Sequence, residues 1–533
     1  MDYNQDWQDL KQAAPLTTEA IIRGRVLREA VSVVNESVSQ RYHAPSGSDS
    51  AEPEGEGVLL LSPSPIDARM KGPGIRYWEF ARAISRVARV TLVAPNETTL
   101  THPDFAIHVH KRGDNDQALF DLVTRHQIVV VQGFGFVLHP GLARHVADHN
   151  KYLVVDLYGP FGLEGIELRV GDPSEEAISA NLREWAALNE QIKLADFFLC
   201  SSERQRDYWL GMLSACYRLN PNTCADDHTA RRLIDLAPFG LPDAPPVHDH
   251  AVLKGVHPHV APTDKVILWA GGIWGWMDPL SVLRAVANLA AERQDVKLLF
   301  LSGDQAANPA SATMSEQAVR LSQELGLYNR HVFFERWVPY EERENYFLEA
   351  DIGICFHFDH LETRFSFRTR ILDYIWAGLP IITGSGDTMG DLVQQHGLGY
   401  AIPPGDIAGL TNAMRNLLNE PDSRGSRREA FARLARDLNW ENATAPLRAY
   451  CQSPWRAPDK LVPIYDQWTA TSLECSLVRA ATAYERAEYF QRLAEGLMSG
   501  CVMRLLLGAQ RIWERLWKPR TDADSRQNRR AGI

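Results

Sequence analysis

Short apolar runs alternate along the chain with stretches whose apolar residues recur at helical spacing. The runs contain few polar residues, which is typical of parallel strands buried on both faces. The first series comprises GVLLLS (57–62), VTLVAP (90–95), IVVVQG (128–133), YLVVDLYG (152–159) and FFLCSS (197–202). Amphipathic stretches such as residues 76–86 and 174–194 separate these runs. The pattern therefore predicts one doubly wound α/β domain.

The same rhythm starts again after a proline-rich segment, PFGLPDAPPVHDH (238–250). The second series of predicted strands comprises VILWAGG (266–272), KLLFLSG (297–303), HVFFERW (331–337), IGICFH (352–357), PIITGSGD (380–387) and GYAIP (399–403). We predict two tandem Rossmann-like domains, at residues 57–245 and 246–450. Open α/β sheets bind ligands outside the carboxyl ends of their strands, so the cleft between the two domains is the expected site.

Helical appendages are predicted at both ends of the chain. Residues 1–56 combine a helical pattern with a linker rich in Ser, Pro, Gly and acidic residues. Residues 451–533 contain helical patterns at 472–498 and 502–517, and basic residues surround the second one as far as Arg520. A basic amphipathic helix with tryptophan can lie at an anionic membrane surface. Packing of residues 502–520 against the catalytic body or a partner subunit is the alternative.

Charge and cysteine usage narrow the class of protein. The chain has 533 residues, with 67 acidic and 56 basic ones, so its formal charge is −11. An acidic protein lacks the clustered cations that bind nucleic acid, and we expect no nucleic-acid partner. The seven cysteines form no Cys-x-x-Cys pair, which predicts reduced thiols and no metal centre. No signal peptide or membrane-spanning run is recognisable, so we expect a cytoplasmic protein, with peripheral contact at the inner membrane surface through 502–520 as one option.

Glycines mark the first candidate binding loop. The strand GVLLLS leads into PSPIDARMKGPG (63–74) and then into the helical pattern IRYWEFARAIS (75–85). Gly72 and Gly74 would let the backbone approach a ligand, and the free N–H groups of the helix would face a diphosphate. A flexible surface loop is the alternative, because the third glycine of a dinucleotide fingerprint is missing.

Two arginines mark the second candidate segment, HLETRFSFRTRILDYIWAGLPIITGSGD (360–387). We predict that Ser366 caps a helix whose first turn holds Arg368 and Arg370. Cations oppose the helix dipole there, so their presence suggests a bound anion such as phosphate. Asp373 follows one turn later and would accept hydrogen bonds from ribose or sugar hydroxyls. The alternative is a structural network in which the arginines pair with Asp351, Asp359 or Glu362.

This segment resembles the donor-binding helix of GT-B glycosyltransferases, in particular the large retaining family four that includes bacterial polysaccharide and lipopolysaccharide enzymes. Further segments resemble that family in order and spacing: KGPGIRYWEFARAIS, ADFFLCSSERQRDYW, LAPFGLP, VILWAGGIWGWMDPLSVLRAVANL and HVFFERWVPYEERENYFLEADIGIC. The resemblance covers roughly residues 57–420. It implies transfer of a sugar from a nucleotide-diphosphate-sugar to a glycan or lipid-linked acceptor, with retention and without a metal or other cofactor.

The resemblance also implies roles for individual residues. Gly271 and Gly272 would admit the donor diphosphate, which Arg368 and Arg370 would neutralise, and Trp337 and Val338 would border the base. The family's Arg and Lys are replaced here by Gly272 and Met277, and its first glutamate falls near Phe365, so Glu362 is the candidate substitute. A charge moved within one cleft can still stabilise a leaving diphosphate.

Candidate acceptor residues lie at strand ends of the first domain. Gln132 ends one predicted strand, and Asp156 and Tyr158 end the next. Asp156 capping the following turn is the alternative. Two other functions remain open for the chain: a nucleotide-sugar epimerase, and a non-catalytic GT-B scaffold. No metal site is expected, because Asp114/Asp116 and Asp522/Asp524 lie in a polar loop and in the tail.

Overall fold

The computed structural model describes residues 55–461 and residues 508, 509, 511 and 512; the gaps are Arg69, Phe134, Asp226, residues 302–308, Trp337, Tyr340 and Glu341. The helix predicted near the N-terminus and the one at 472–498 lie outside the described residues, as does most of 502–520. Within the described part of the chain, no helix has the length and apolar character needed to cross a membrane.

The first domain is built on a seven-stranded parallel sheet with the order β3-β2-β1-β4-β5-β6-β7. Its strands are β1 (Val58–Leu61), β2 (Val90–Ala94), β3 (Ala106–Val109), β4 (Ile128–Gln132), β5 (Tyr152–Asp156), β6 (Phe197–Cys200) and β7 (Ile234–Leu236). The five strands predicted from sequence are all present, and four of them are completely buried. Continuous apolar runs thus correspond to strands covered by helices on both faces.

The second domain has a six-stranded parallel sheet with the order β10-β9-β8-β11-β12-β13. Its strands are β8 (Lys265–Ala270), β9 (Val296–Leu301), β10 (Val332–Glu335), β11 (Ile352–Cys355), β12 (Ile381–Gly384) and β13 (Gly399–Ile402). All six agree with the predicted series. The two sheets fall on either side of the proline-rich segment 238–250.

Helices flank both sheets. In the first domain they are α1 (Gly72–Ile84), α2 (Gln117–Arg125), α3 (Gly135–Leu138), α4 (Leu142–Asp148), α5 (Phe161–Glu167), α6 (Glu175–Leu194), α7 (Glu203–Ala215) and α8 (Pro221–Ala225). In the second they are α9 (Pro279–Glu292), α10 (Pro309–Glu324), α11 (Arg343–Glu349), α12 (Leu361–Phe365), α13 (Thr369–Trp376), α14 (Thr388–Gln395), α15 (Ile407–Asn419) and α16 (Arg428–Asp437).

The chain returns to the first domain after α16. The short helices α17 (Trp440–Ala443) and α18 (Ala445–Gln452) pack against α1. Trp440 is largely buried, with its ring 6.5 Å from that of Phe80 and 4.8 Å from that of Phe239. By these contacts, residues 440–450 belong with the first domain, although we had predicted them within the second domain (246–450).

Two strands escaped prediction because they lack a continuous apolar run. β3 is an edge strand of sequence AIHV whose four residues are all at least partly exposed. β7 is only three residues long and contains Asp235. A strand with one neighbour need not be apolar on both faces, so its sequence carries a weaker signal.

Candidate active site

Arg370 lies against the glycine loop that follows β8. Its Nη2 donates a hydrogen bond to the carbonyl of Gly272 (2.7 Å), and its guanidinium stacks over the Trp269 ring at 5.0 Å. Gly271 has φ +110°, and a Cβ there would lie 3.6 Å from the same guanidinium. The structure therefore brings together Gly271, Gly272 and Arg370, while their contact with a donor diphosphate stays a prediction.

One arm of this guanidinium is unpaired. Arg370 Nη1 is buried and makes no hydrogen bond within the described residues. A buried charged donor without a partner is costly, and native structures normally satisfy such groups with protein, water or a ligand. The unpaired Nη1 beside the glycine loop is therefore a candidate contact for an anion.

Arg368 is occupied by carboxylates. Its Nη1 and Nη2 donate to the two oxygens of Glu362 at 2.9 and 2.7 Å, and its Nε lies 3.7 Å from Asp387 Oδ2. Arg368 is only 5% exposed and Glu362 1%. The structural network considered from sequence is present for Arg368, with Glu362 as its partner. Arg368 therefore holds the loop before α13 in place, and its charge is already compensated.

The predicted start of the helix is wrong by two residues. Arg368 itself occupies the N-cap position of α13, and no side chain caps the helix. Ser366 instead donates its hydroxyl to the carbonyl of Thr363 at 3.2 Å. Ser366 directly follows the short helix α12, whose last residue is Phe365, so Ser366 ends that helix and does not begin the next one. The first-turn N–H groups of α13 therefore have no side-chain cap.

Buried polar atoms without partners concentrate at the carboxyl edge of the second sheet. His357 follows β11 and Asp387 follows β12, and their side chains are fully buried with 3.4 Å between Nε2 and Oδ2. Neither atom makes a hydrogen bond of good geometry. The same holds for Arg368 Nε, Thr383 Oγ1 and His360 Nε2. Such a concentration of unsatisfied groups is characteristic of a polar binding or catalytic site.

The remaining predicted residues of the second domain differ in their surroundings. Asp373 lies on α13 with an ion pair to Arg343 at 3.4 Å, and its side chain is 30% exposed. Val338 is partly buried and packs against the core. Trp337 lies outside the described residues. No contact joins Val338 directly to Arg370 among those described, so the base pocket stays a prediction.

Gly72 and Gly74 lie in the first turn of α1 and not in a loop before it. The helix begins at Gly72, with Lys71 as N-cap. A Cβ on Gly74 would come within 2.6 Å of the Pro65 carbonyl, whereas one on Gly72 would meet nothing within 4 Å. The close approach at Gly74 is thus to the protein's own backbone. The glycine required there is explained by packing, and its predicted contact with a diphosphate stays untested.

Asp156 is not available to an acceptor. It is fully buried, and its two oxygens accept hydrogen bonds from Arg76 Nε and Nη2, each at 2.8 Å. Arg76 also donates to the carbonyls of Ala237 and Pro238, at the end of the first domain. The prediction of acceptor contact by Asp156 is therefore wrong in this structure, because the carboxylate links β5 to the interdomain segment.

Gln132 and Tyr158 lie beside this ion pair. Gln132 is almost fully buried and its side chain interacts with the Tyr158 hydroxyl. The Tyr158 ring, which is partly exposed, lies 5.0 Å from the Arg76 guanidinium. Burial raises the pKa of Tyr158, so it is a neutral hydrogen-bonding group at neutral pH. Tyr158 is the member of the predicted acceptor set with surface to offer.

Glu164 is a candidate functional residue that sequence reasoning missed. It lies on α5 of the first domain, which packs against α12 of the second. Burial, together with the nearby charge of Glu362, raises the pKa of Glu164 to about 8, and Arg368 opposes this only in part. The residue lies in the sequence FGLEGIE (161–167), where its spacing matches no recognisable motif. Its importance arises from a neighbour 198 positions away (362 − 164), which no local pattern reports.

The two domains meet along α7 on one side and α12 and α14 on the other. Arg204 donates to Asp391 and to the carbonyl of Gly386, both at 2.6 Å, and the Tyr208 and Phe365 rings are 4.9 Å apart. Between them lies a pocket of about 580 Å³. It is lined by Arg204, Asp207, Tyr208, Asp359, His360, Thr363, Arg364, Phe365 and Gly386. The cleft predicted between the domains is therefore present.

A family of known function matches the second domain. Residues 264–420 match the family model described as glycosyl transferases group 1. The matched segment contains Gly271, Gly272, Glu362, Arg368 and Arg370. A curated relative, glycogen synthase of Mycobacterium tuberculosis, is 33% identical over 94 residues. That alignment covers 17% of this chain and 23% of the relative, so the chain matches less than a quarter of the relative's length.

Solved structures match both domains. Sucrose-phosphate synthase from Thermosynechococcus elongatus aligns over 74% of this chain and 98% of its own, with a TM-score of 0.54 and 16% identity. Anabaena HepE in complex with UDP and glucose aligns over 75% and 100%, with a TM-score of 0.53 and 14% identity. WaaG, a glycosyltransferase involved in lipopolysaccharide biosynthesis, aligns over 74% and 98%, with a TM-score of 0.51 and 14% identity.

The fold is GT-B. The two-domain architecture predicted from sequence is confirmed, and the second GT-B domain is similar to glycosyl transferases of group 1. At these identities the structural likeness concerns the fold and does not assign roles to individual residues. The second domain combines Arg370, whose Nη1 has no hydrogen-bond partner among the described residues, with a buried Glu362–Arg368 pair close to Glu164 of the first domain.

Proposed function

We propose that this protein is a glycosyltransferase that moves a sugar, in the first instance a hexose, from a nucleotide-diphosphate-sugar to a glycan or lipid-linked acceptor with retention. The proposal rests most directly on Arg370, whose Nη1 is buried and unpaired beside Gly271 and Gly272. The family match spans the same segment. Anabaena HepE, of the same fold, binds UDP and glucose.

In the proposed reaction the diphosphate lies across the Gly271–Gly272 loop, where the positive φ of Gly271 and the absence of side chains leave room. Arg370 Nη1 donates to a phosphate oxygen and stabilises the negative charge that develops as the nucleoside diphosphate leaves. Nη2 stays on the Gly272 carbonyl and fixes the guanidinium in place. Arg368 and Glu362 position the loop before α13.

Without an enzymic nucleophile, retention requires that the acceptor hydroxyl attack the face from which the diphosphate leaves, while the bond between the sugar and the phosphate breaks. The departing phosphate oxygen then accepts the hydroxyl proton, the new glycosidic bond forms, and no enzymic nucleophile takes part. Neither a metal nor another cofactor is required for this step. A neutral Glu164 carboxyl and the Tyr158 hydroxyl would supply hydrogen bonds to the acceptor from the first domain without adding negative charge next to the diphosphate.

The class of acceptor decides whether the protein must bind a membrane surface. A lipid-linked glycan would require the protein to work at the cytoplasmic surface of a membrane, with residues 502–520 as the proposed contact. A soluble glycan would require no such contact. Flotation with anionic and neutral lipid vesicles separates these cases, because basic amphipathic segments bind anionic surfaces preferentially.

Product analysis tests the function. The purified chain is incubated with UDP-, GDP-, ADP- and TDP-sugars, with and without glycan and lipid-linked acceptors, and the released nucleoside diphosphate is measured. We expect release that depends on both one donor and one acceptor class, and an α-configured product from an α-configured donor in NMR.

Other outcomes identify other functions. Conversion of the donor sugar without an acceptor would indicate an epimerase and contradict the proposal. Nucleotide binding without any product would indicate a scaffold. An inverted product would retain the transferase but overturn the same-face mechanism.

A further inference from the structure

Two histidines and an aspartate converge in the first domain, away from the donor loop. His110 directly follows β3, Asp116 precedes α2, and His139 directly follows α3. Asp116 Oδ1 lies 3.2 Å from His110 Nε2 and 2.8 Å from His139 Nδ1. The three candidate ligand atoms all lie within 4.8 Å of one another. Three separate segments of the chain therefore meet at one carboxylate oxygen.

The spacing of these atoms suits a small cation. Nitrogen and oxygen ligands bind zinc at 2.0–2.2 Å in tetrahedral geometry, which separates neighbouring ligand atoms by about 3.3 Å. The two observed separations, 3.2 and 2.8 Å, are close to that value. Only small outward movements of the side chains would admit an ion between them.

The donor set indicates which class of metal would bind. Two imidazoles and one carboxylate favour Zn²⁺, Co²⁺ or Ni²⁺, whereas Ca²⁺ and Mg²⁺ prefer oxygen ligands throughout. The His110 side chain is 3% exposed, so one side of the three-residue group is shielded from water. The side chains of Asp116 and His139 are 33% and 19% exposed, which leaves an entry path for an ion. The remaining coordination positions would be filled by water or a ligand from solvent.

We propose that His110, Asp116 and His139 form a binding site for one divalent transition-metal ion, with Zn²⁺ as the preferred occupant. The ion would join the end of β3, the start of α2 and the end of α3. The segment that carries His139 begins just after Gln132, so the ion would hold the loop that follows β4. This site is independent of the proposed transferase reaction and contributes no group to it.

Asp114 and Asp116, in whose polar loop no metal site is expected from the sequence, have different partners in the structure. Asp114 Oδ2 accepts a hydrogen bond from the Lys111 backbone N–H at 2.7 Å and closes a turn. Asp116 alone turns toward the histidines. The partners of Asp116 come from 6 residues before it and 23 residues after it (110 and 139), a spacing that fits no short metal motif.

Metal titration of the tag-free, chelator-treated full chain tests the proposal. We expect about one equivalent of Zn²⁺ to bind saturably in calorimetry, and Co²⁺ at the same site to show visible d–d absorption that Zn²⁺ displaces. The key variant is Asp116→Asn, because its amide oxygen can still accept the histidine hydrogen bonds but is a poor metal ligand. Its Zn²⁺ affinity should fall at least 10-fold, as should that of His139→Ala.

The matched control is His149→Ala. His145 and His149 lie one helical turn apart near the end of α4, with ring centroids 4.0 Å apart. They are two neighbouring histidines outside the proposed site, so they serve as the comparison. The control should bind like the wild type. Absence of stoichiometric binding by the wild type would overturn the proposal, and so would equal binding by Asp116→Asn or loss confined to His149→Ala. Far-UV circular dichroism of each variant shows whether it is folded. If His139→Ala does not fold, Asp116→Asn alone tests the proposal.

Discussion

At the scale of single residues, two buried carboxylates are paired with arginines and a third carboxyl group is kept neutral. Arg368 satisfies Glu362, and Arg76 satisfies Asp156, with both oxygens of each carboxylate engaged. Glu164 forms no ion pair among the described residues, and burial together with the charge of Glu362 raises its pKa to about 8, which keeps it protonated near neutral pH. These residues show what sequence could and could not predict. The Glu362–Arg368 pair lies within one short segment and was foreseen as an alternative, whereas Arg76–Asp156 and Glu164 depend on contacts between distant segments.

Glu164→Gln should flatten the pH dependence of stability. Burial raises the pKa of this carboxyl in the folded protein to about 8 from its ordinary value of 4.5, so the folded protein binds the extra proton between these values. Its stabilising contribution is complete below the lower value and is lost as the pH rises toward the upper one, at up to about 1.4 kcal/mol per pH unit. Urea unfolding at pH 6 and pH 8 should give a smaller difference for Glu164→Gln than for the wild type. The control Glu176→Gln, at an exposed carboxyl, should keep the wild-type difference; an unchanged slope in Glu164→Gln would show that this carboxyl does not carry the proton.

Arg368→Ala should destabilise the second domain by about 3–5 kcal/mol, because it leaves the Glu362 carboxylate buried without its partner. The double variant Arg368→Ala/Glu362→Ala should lose less stability than the sum of the two single variants. Additive losses in urea unfolding would contradict the ion pair.

At the scale of elements, apolar runs predicted the buried strands well, and side-chain caps account for many helix starts. Asp387 caps α14 and Asp406 caps α15, each through a hydrogen bond to the third residue beyond it. The start of α13 was mispredicted because a serine two residues earlier offers the usual capping side chain but is drawn into the preceding turn. A local sequence pattern thus mispredicts a helix start where the same side chain can bond to either of two adjoining elements.

Asp406→Ala should cost about 1 kcal/mol of stability, because it removes a helix cap. The exposed Asp406 side chain accepts a hydrogen bond from the Gly409 N–H at 2.8 Å, and no other side-chain hydrogen bond of Asp406 is found among the described residues. Asp406→Asn keeps an oxygen at the same place and should cost only a few tenths of that amount. Urea unfolding of the two variants checks this. Equal losses would mean that the charge of Asp406, and not its hydrogen bond, stabilises α15.

At the scale of the whole molecule, the fold could be predicted from the sequence because two series of continuous apolar runs indicate two buried parallel sheets. The cleft followed from topology, since carboxyl ends of parallel strands form the ligand-binding edge. The assignment of individual side chains did not follow, because Arg204 and Asp391 or Glu164 and Glu362 meet only when the two domains are placed together. Local patterns report neighbours along the chain, while the site is made from neighbours across the cleft.

The central claim is that Arg370 holds the diphosphate of a nucleotide-sugar donor, and a binding measurement on Arg370 variants tests it most directly. Thermal shift and calorimetry with UDP, GDP, ADP, CMP and TDP, with and without Mg²⁺, should find one nucleoside diphosphate that binds the wild type. Arg370→Ala should weaken it by roughly 10- to 100-fold, in line with about 1.5–3 kcal/mol for a hydrogen bond to a charged group. Arg415→Ala is the control, because that partly exposed arginine of α15 pairs with Glu292 of α9. Equal nucleotide affinity in wild type, Arg370→Ala and Arg415→Ala, or no binding by the wild type, would contradict the assignment.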